Sequence, residues 1–67
     1  MTITLNGEAH HLDGPLSVAA LLEHLGIDGR RVAVEHNLAV VRRALFDSTT
    51  INEGDDVEIV NFVGGGH

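Results

Sequence analysis

The chain has no cysteine, lysine, tryptophan or tyrosine, and Pro15 is its only proline. Without thiols there can be no disulfide, no thiolate metal site and no side chain able to hold sulfur as a persulfide. Without lysine the chain cannot be built into side-chain-linked polymers of itself. Its aromatic residues are Phe46 and Phe62, and four arginines stand against ten carboxylates, for a formal charge of -6. That is the wrong sign for gripping phosphate backbones, so nucleic acid is not an expected partner. No basic segment follows Met1-Thr2-Ile3, and no apolar run is long enough for a signal peptide or a membrane span. This reads as a cytoplasmic protein with no membrane partner. With 67 residues there is room for one domain and one small core. A chain of this size buries only about 60% of the surface its unfolded form exposes, so a deep active-site cleft is not expected.

What is present is punctuated clearly. Thr2 to Asn6 alternates, with Ile3 and Leu5 on one face, and Asn6-Gly7 suits the two positive-φ positions of a type I′ hairpin turn into Glu8–Leu12. A two-residue loop pairs Leu5 with Glu8 and Ile3 with His10, setting polar residues beside the core face. Either a bulge or early exposure must resolve that conflict. After Asp13-Gly14-Pro15, Ser17 is a candidate N-cap for a helix of about ten residues reaching Leu25, with Val18, Leu21, Leu22 and Leu25 at i, i+3, i+4, i+7. Gly26 fits the left-handed position that ends such a helix. Val32, Val34 and His36 alternate with Ala33 and Glu35, Asn37 turns the chain, and a short strand follows around Ala39–Val41.

Leu45 and Phe46 are expected to plug one end of the core from a short helical turn. Thr50-Ile51 is extended, Asn52-Glu53-Gly54-Asp55 turns, and a last strand from Asp56 to Phe62 points Val57 and Ile59 inward. Glu58, Val60 and Phe62 fall on its other face. The order predicts an α+β fold of β-grasp type, a mixed sheet crossed by one main helix, with the domain at residues 1–62 and a flexible tail at 63–67.

The tail reads Val63-Gly64-Gly65-Gly66-His67. Glycines at a chain end are poor structure but a good probe: five residues reach roughly 17 Å and, lacking side chains, can thread a narrow channel. A terminal glycine carboxylate is a weak electrophile until AMP is transferred to it from ATP. The mixed anhydride then has a stable leaving group and an unhindered carbonyl, and sulfur delivered to it gives a thiocarboxylate.

The segments Ile3-Thr4-Leu5-Asn6-Gly7, Ser17 to Leu25, and Glu53-Gly54-Asp55-Asp56-Val57-Glu58-Ile59-Val60 leading to Phe62-Val63-Gly64-Gly65-Gly66 together resemble the ThiS family. These are ubiquitin-like sulfur carriers of thiamin (thiazole) biosynthesis, and the resemblance covers essentially the whole chain. It implies a carrier that is not itself an enzyme, is monomeric when free and binds no cofactor. An E1-like adenylating enzyme (ThiF type), using ATP and Mg, would adenylate Gly66, and a persulfide donor would supply sulfur. A thiazole synthase (ThiG type) would then receive it. Gly64 and Gly65 would thread the partner's active site. Two departures stand out: His67 follows the glycines, and Val41-Arg42-Arg43 lacks a proline expected in relatives. An internal glycine carbonyl is an amide that ATP cannot adenylate, so removal of His67 before loading is expected. A cloning remnant at His67, or a tail active with His67 as its terminus, are the other readings.

Val60, Phe62 and Val63 are either a docking patch for these partners or an outer face covered by a neighbouring loop. Acidic residues around such a patch would favour basic partners. His10 and His11 point to opposite faces, and His24 and His36 show no ligand spacing with them, so the histidines read as solvated and no metal site is expected. Arg42-Arg43 reads as a solvated loop pair rather than a phosphate site. No Ser, His and Asp arrangement suggests nucleophilic catalysis. Three other functions share parts of this pattern: the small subunit of molybdopterin synthase, a ubiquitin-like protein modifier, and a regulatory β-grasp module.

Overall fold

The computed structural model describes residues 1–62. Strand β1 (Thr2–Leu5) turns at Asn6-Gly7 into β2 (Glu8–His11), with φ of 49° and 82° at the turn, as a type I′ hairpin requires. The register pairs Leu5 with Glu8 and Ile3 with His10. No bulge is needed, because β2 lies at the sheet's edge, where Glu8 is exposed and His10 half-buried.

Leu16-Ser17 forms a two-residue strand, β3, which pairs antiparallel with β6 (Thr50–Ile51) in a ladder that the sequence reading missed. Helix α1 (Val18–Leu25) is eight residues long, shorter than the expected ten. Ser17 caps it by accepting from the Ala20 amide at 3.0 Å. At the other end Gly26 sits at φ 73°, with its amide on Glu23 and the Ile27 amide on Leu22 at 2.9 Å. That pair of bonds is a Schellman motif, and it stops the helix after two turns.

A 3₁₀ turn at Gly29–Arg31 leads into β4 (Val32–His36), which pairs with β5 (Ala39–Val41) through an Asn37-Leu38 turn. A second 3₁₀ turn, Arg43–Leu45, precedes β6, and β7 (Asp56–Asn61) ends the described fold. The main sheet runs β2-β1-β7-β4-β5, with β7 parallel to β1 and antiparallel to β4. The last strand in sequence therefore lies at the centre of the sheet. This is the expected α+β, ubiquitin-like β-grasp architecture.

Ile3, Val18, Leu21, Val34, Ile51 and Val57 are essentially fully buried where helix and sheet meet. Burial of a side chain of this kind contributes about 1.5–3 kcal/mol. Phe46 joins them from the second 3₁₀ turn, whereas Leu45, expected beside it, is exposed. No helix among the described residues is long and apolar enough to cross a membrane.

Candidate functional site

Strand β7 leads directly to the glycine run, so what fixes β7 fixes the point from which that run leaves. Two asparagines from hairpin turns clip it. Asn6 Oδ1 accepts from the Ile59 amide at 2.7 Å and its Nδ2 donates to the Ile59 carbonyl at 3.3 Å. Asn37 Oδ1 accepts from the Asp56 amide at 2.8 Å, and the Asn37 amide donates to the Asp56 carbonyl at 2.7 Å. Each turn needs a residue that tolerates positive φ and can also mimic a peptide with its side-chain amide, and asparagine supplies both. The last backbone bond of the described chain runs from the Phe62 amide to the Arg31 carbonyl at 3.0 Å.

A histidine–aspartate contact stiffens the far end of β7. His36 Nε2 and Asp55 Oδ2 are 2.6 Å apart, both side chains mostly buried, and the Asn52 amide donates to the same carboxylate at 2.8 Å. The His36 bond, then the backbone bond from Asn52, hold the Asp55 carboxyl below its ordinary value of 3.8. His36 is therefore a structural partner and not a solvated residue. His10 also departs from the solvated reading: it is half-buried, with its ring centroid 6.2 Å from that of His24. Among the described residues no group of three or more His, Cys, Asp or Glu is placed to hold a metal ion.

Val60 and Phe62 are 58% and 57% exposed on the sheet face opposite the helix, as their alternation with Val57 and Ile59 implied. Val60 stands across from Ala33, and Phe62 walls a shallow cavity of about 360 Å³ lined also by Ala33, Val40, Val41 and Arg43. Among the described residues no neighbouring loop covers either side chain. Val63, Gly64, Gly65, Gly66 and His67 lie outside the described residues.

Charge around this patch is divided, unlike the acidic setting expected for it. Glu58 pairs across from Glu35 one step down the strands from Val60. On the other side Arg31 is bonded through its carbonyl to Phe62, Arg42 follows the β5 residue Val41 that pairs with Val34, and Arg43 lines the cavity. Arg30 is held by Asp28 at 2.9 Å, and this contact pulls that exposed aspartate down to about 2. The sequence shows Arg30-Arg31 and Arg42-Arg43 as two separate pairs. Only the pairing of β4 with β5 and β7 brings them to one end of the sheet.

The comparisons with known proteins cover the whole of this architecture. A family model described as the ThiS family matches residues 3–66. A crystal structure of the thiamine biosynthesis protein ThiS from Geobacter metallireducens superposes with a TM-score of 0.87 at 41% identity, covering 97% of this chain and 99% of that one. A thiazole synthase of Paramagnetospirillum magneticum is 44% identical over 66 residues, which is 98% of this chain but 20% of that protein. An uncharacterized protein of Porphyra purpurea, ycf40, is 42% identical over 66 residues, 98% of this chain and 93% of its own length. The chain thus spans about a fifth of the thiazole synthase it matches. A family match over residues 3–66, joined to a superposition that covers 97% of the chain at 41% identity, establishes that the chain belongs to the ThiS family.

Proposed function

We propose that this chain is a sulfur carrier of thiamin biosynthesis, adenylated at Gly66 by an E1-like enzyme with Mg-ATP, converted there to a thiocarboxylate, and discharged to a thiazole synthase. The observation that carries the reading is the placement of β7. The strand that leads toward Val63-Gly64-Gly65-Gly66 is the central one of the sheet, and Val60 near its end and Phe62 just beyond it are exposed apolar side chains. A folded body that docks with Val60, Phe62 and Val63 while its reactive group reaches beyond needs such a build.

Each step balances with simple chemistry. The glycine carboxylate attacks the α-phosphorus of ATP, pyrophosphate leaves, and an acyl adenylate forms. A persulfide sulfur then attacks the acyl carbon and expels AMP. Cleavage of the resulting acyl disulfide by a second thiol leaves the thiocarboxylate and a disulfide on the donor, so the donor's thiols are the reductant. The chain supplies no side chain to the chemistry, consistent with a co-substrate rather than an enzyme. His67 must be absent for Gly66 to offer a carboxylate. The relatives named for thiazole synthase and thiamine biosynthesis favour this pathway over molybdenum cofactor assembly.

The test is incubation of the chain ending at Gly66, beside the full chain, with an adenylating enzyme of the family, Mg-ATP and a persulfide donor, followed by intact mass. The chain ending at Gly66 is expected to become heavier by the difference between one sulfur and one oxygen, and the full chain to stay unchanged. A thiocarboxylate on the chain that keeps His67 would move the reactive terminus to that residue, and no mass change in the chain ending at Gly66 with a competent enzyme would refute the carrier reading.

A further inference from the structure

An asparagine side-chain amide is open to attack by its own main chain, because the amide nitrogen of the next residue can close a five-membered ring on the asparagine Cγ. Glycine in that next position leaves the nitrogen unhindered, since it has no Cβ. Of the four asparagines, Asn6 alone precedes a glycine; Asn37, Asn52 and Asn61 precede Leu38, Glu53 and Phe62. Asn6 and Gly7 are both exposed, and no atom beyond the chain neighbours lies within 4 Å of where a Gly7 Cβ would stand. Among the described residues no backbone hydrogen bond engages the Gly7 amide.

The turn can reach the ring geometry without undoing the hairpin. With φ of 49° and 82° it is type I′. Rotating the peptide plane between Asn6 and Gly7 gives type II′, in which Asn6 keeps its positive φ and takes a ψ of about -120°, close to the angle that a five-membered imide imposes. Both turns close two-residue loops, and Gly7 accepts either sign of φ, so the pairing of β1 with β2 survives the rotation. What opposes ring closure is the clip. Oδ1 on the Ile59 amide at 2.7 Å and Nδ2 on the Ile59 carbonyl at 3.3 Å pin the side-chain amide until they are released.

We infer that Asn6 is a site of spontaneous deamidation, gated by release of its side chain from Ile59 and not by unfolding of the domain. The Gly7 amide gives its proton to hydroxide and its nitrogen attacks Cγ; the Cγ–Nδ2 bond breaks, ammonia leaves, and a cyclic imide forms. Water then opens the ring at either carbonyl. Aspartate results where the bond from the Gly7 nitrogen to Cγ breaks, and isoaspartate where the main-chain bond breaks. The sum is one water gained and one ammonia lost, with nothing oxidised or reduced. Both products damage the clip. Aspartate has no N–H for the Ile59 carbonyl and sets a carboxylate oxygen in its place, while isoaspartate adds a carbon to the main chain of a two-residue loop. The strand leading toward the glycine run thus loses one of its two asparagine clips as the chain ages.

The test incubates the full chain beside a capped peptide of residues 3–9 at mildly alkaline pH and follows Asn6 by peptide mapping with isoaspartate-resolving mass spectrometry. Two hydrogen bonds that must open lower the reactive population about five- to thirtyfold, so Asn6 should react more slowly in the full chain by about that factor. A requirement for global unfolding would slow it by roughly several hundredfold or more. Ile51→Val, at a fully buried position in the smaller sheet, weakens the whole domain and should leave the Asn6 rate within about twofold. Asn37 has a similar turn and clip but precedes Leu38, and should stay unmodified over the same period. A full-chain rate within about threefold of the peptide's would show that the clip gates nothing. A rate more than about a hundredfold below the peptide's, or a clear acceleration in Ile51→Val, would show that unfolding is the gate. Either result overturns the inference, as does modification of Asn37 at the rate of Asn6.

Discussion

Replacing Asn6 separates two contributions that this residue makes to the strand leading to the glycine run. Its φ of 49° lies in the left-handed region, which costs an ordinary L-residue about 1–2 kcal/mol. Its side chain also makes two hydrogen bonds to Ile59, at 2.7 and 3.3 Å. Each contributes about 0.5–1.5 kcal/mol net, the longer one at the low end. Asn6→Gly relieves the backbone and loses only the clip, so it should cost about 1–2 kcal/mol. Asn6→Ala loses the clip and adds the backbone penalty, for a total of about 2–4 kcal/mol. A domain of this length has only about 3–10 kcal/mol to lose. Urea unfolding reads the difference directly: with a slope near 1 kcal/mol per M, the two variants should differ by about 1 M or more in midpoint. Amide exchange at Ile59 should accelerate in Asn6→Gly while that of Val34, deep in β4, changes only by the global loss. Equal midpoints for the two variants would show that the turn imposes no backbone penalty. A neutral Asn6→Gly would show that the clip contributes nothing.

Phe62→Asp should impair adenylation and sulfur loading, read by intact mass over time, with little change in melting temperature because Phe62 is 57% exposed; wild-type loading rates would remove it from the docking patch. Leu38, 83% exposed at φ 72°, is an apolar residue in a turn position that glycine prefers, so Leu38→Gly should stabilise the domain by up to about 1 kcal/mol in urea titrations. Asp55→Asn should cost about 1.5–3 kcal/mol at neutral pH. Because the native carboxyl titrates below 3.8, its contribution is complete above that value and is lost as pH falls through the native pKa. Wild type and Asp55→Asn should therefore differ by a constant amount at neutral pH and converge in acid; a gap that widened in acid would contradict the depressed value. Leu21→Ala, at a fully buried helix position, should cost about 2–5 kcal/mol by the same titration.

Features that depend on neighbouring residues were legible in the sequence. The Asn6-Gly7 turn, the Ser17 cap and the Gly26 stop are each decided within a few residues, and the period-two alternation of β7 placed Val60 and Phe62 outward. Features that need distant segments to meet were not. The β3–β6 ladder joins two dipeptides too short to show any period. The His36–Asp55 contact spans 19 residues, and nothing local distinguishes His36 from a solvated histidine. The cavity and its arginines depend on the strand order, because Arg31 and Arg43 become neighbours of Phe62 only once β7 has inserted beside β4. The helix ends at Leu25 before Gly26, as its apolar spacing and the glycine imply, and its eight residues are what lies between the Ser17 cap and that stop.

The central position of β7 has a mechanical consequence. If a partner grips the end of the chain and pulls, the load runs along β7, and the ladders to β1 and β4 resist together in shear. At an edge strand the same force would break hydrogen bonds one after another, like a zipper. The fold is thus anchored at the point where an enzyme would draw on it, and tension on the chain beyond β7 would be borne by both ladders at once.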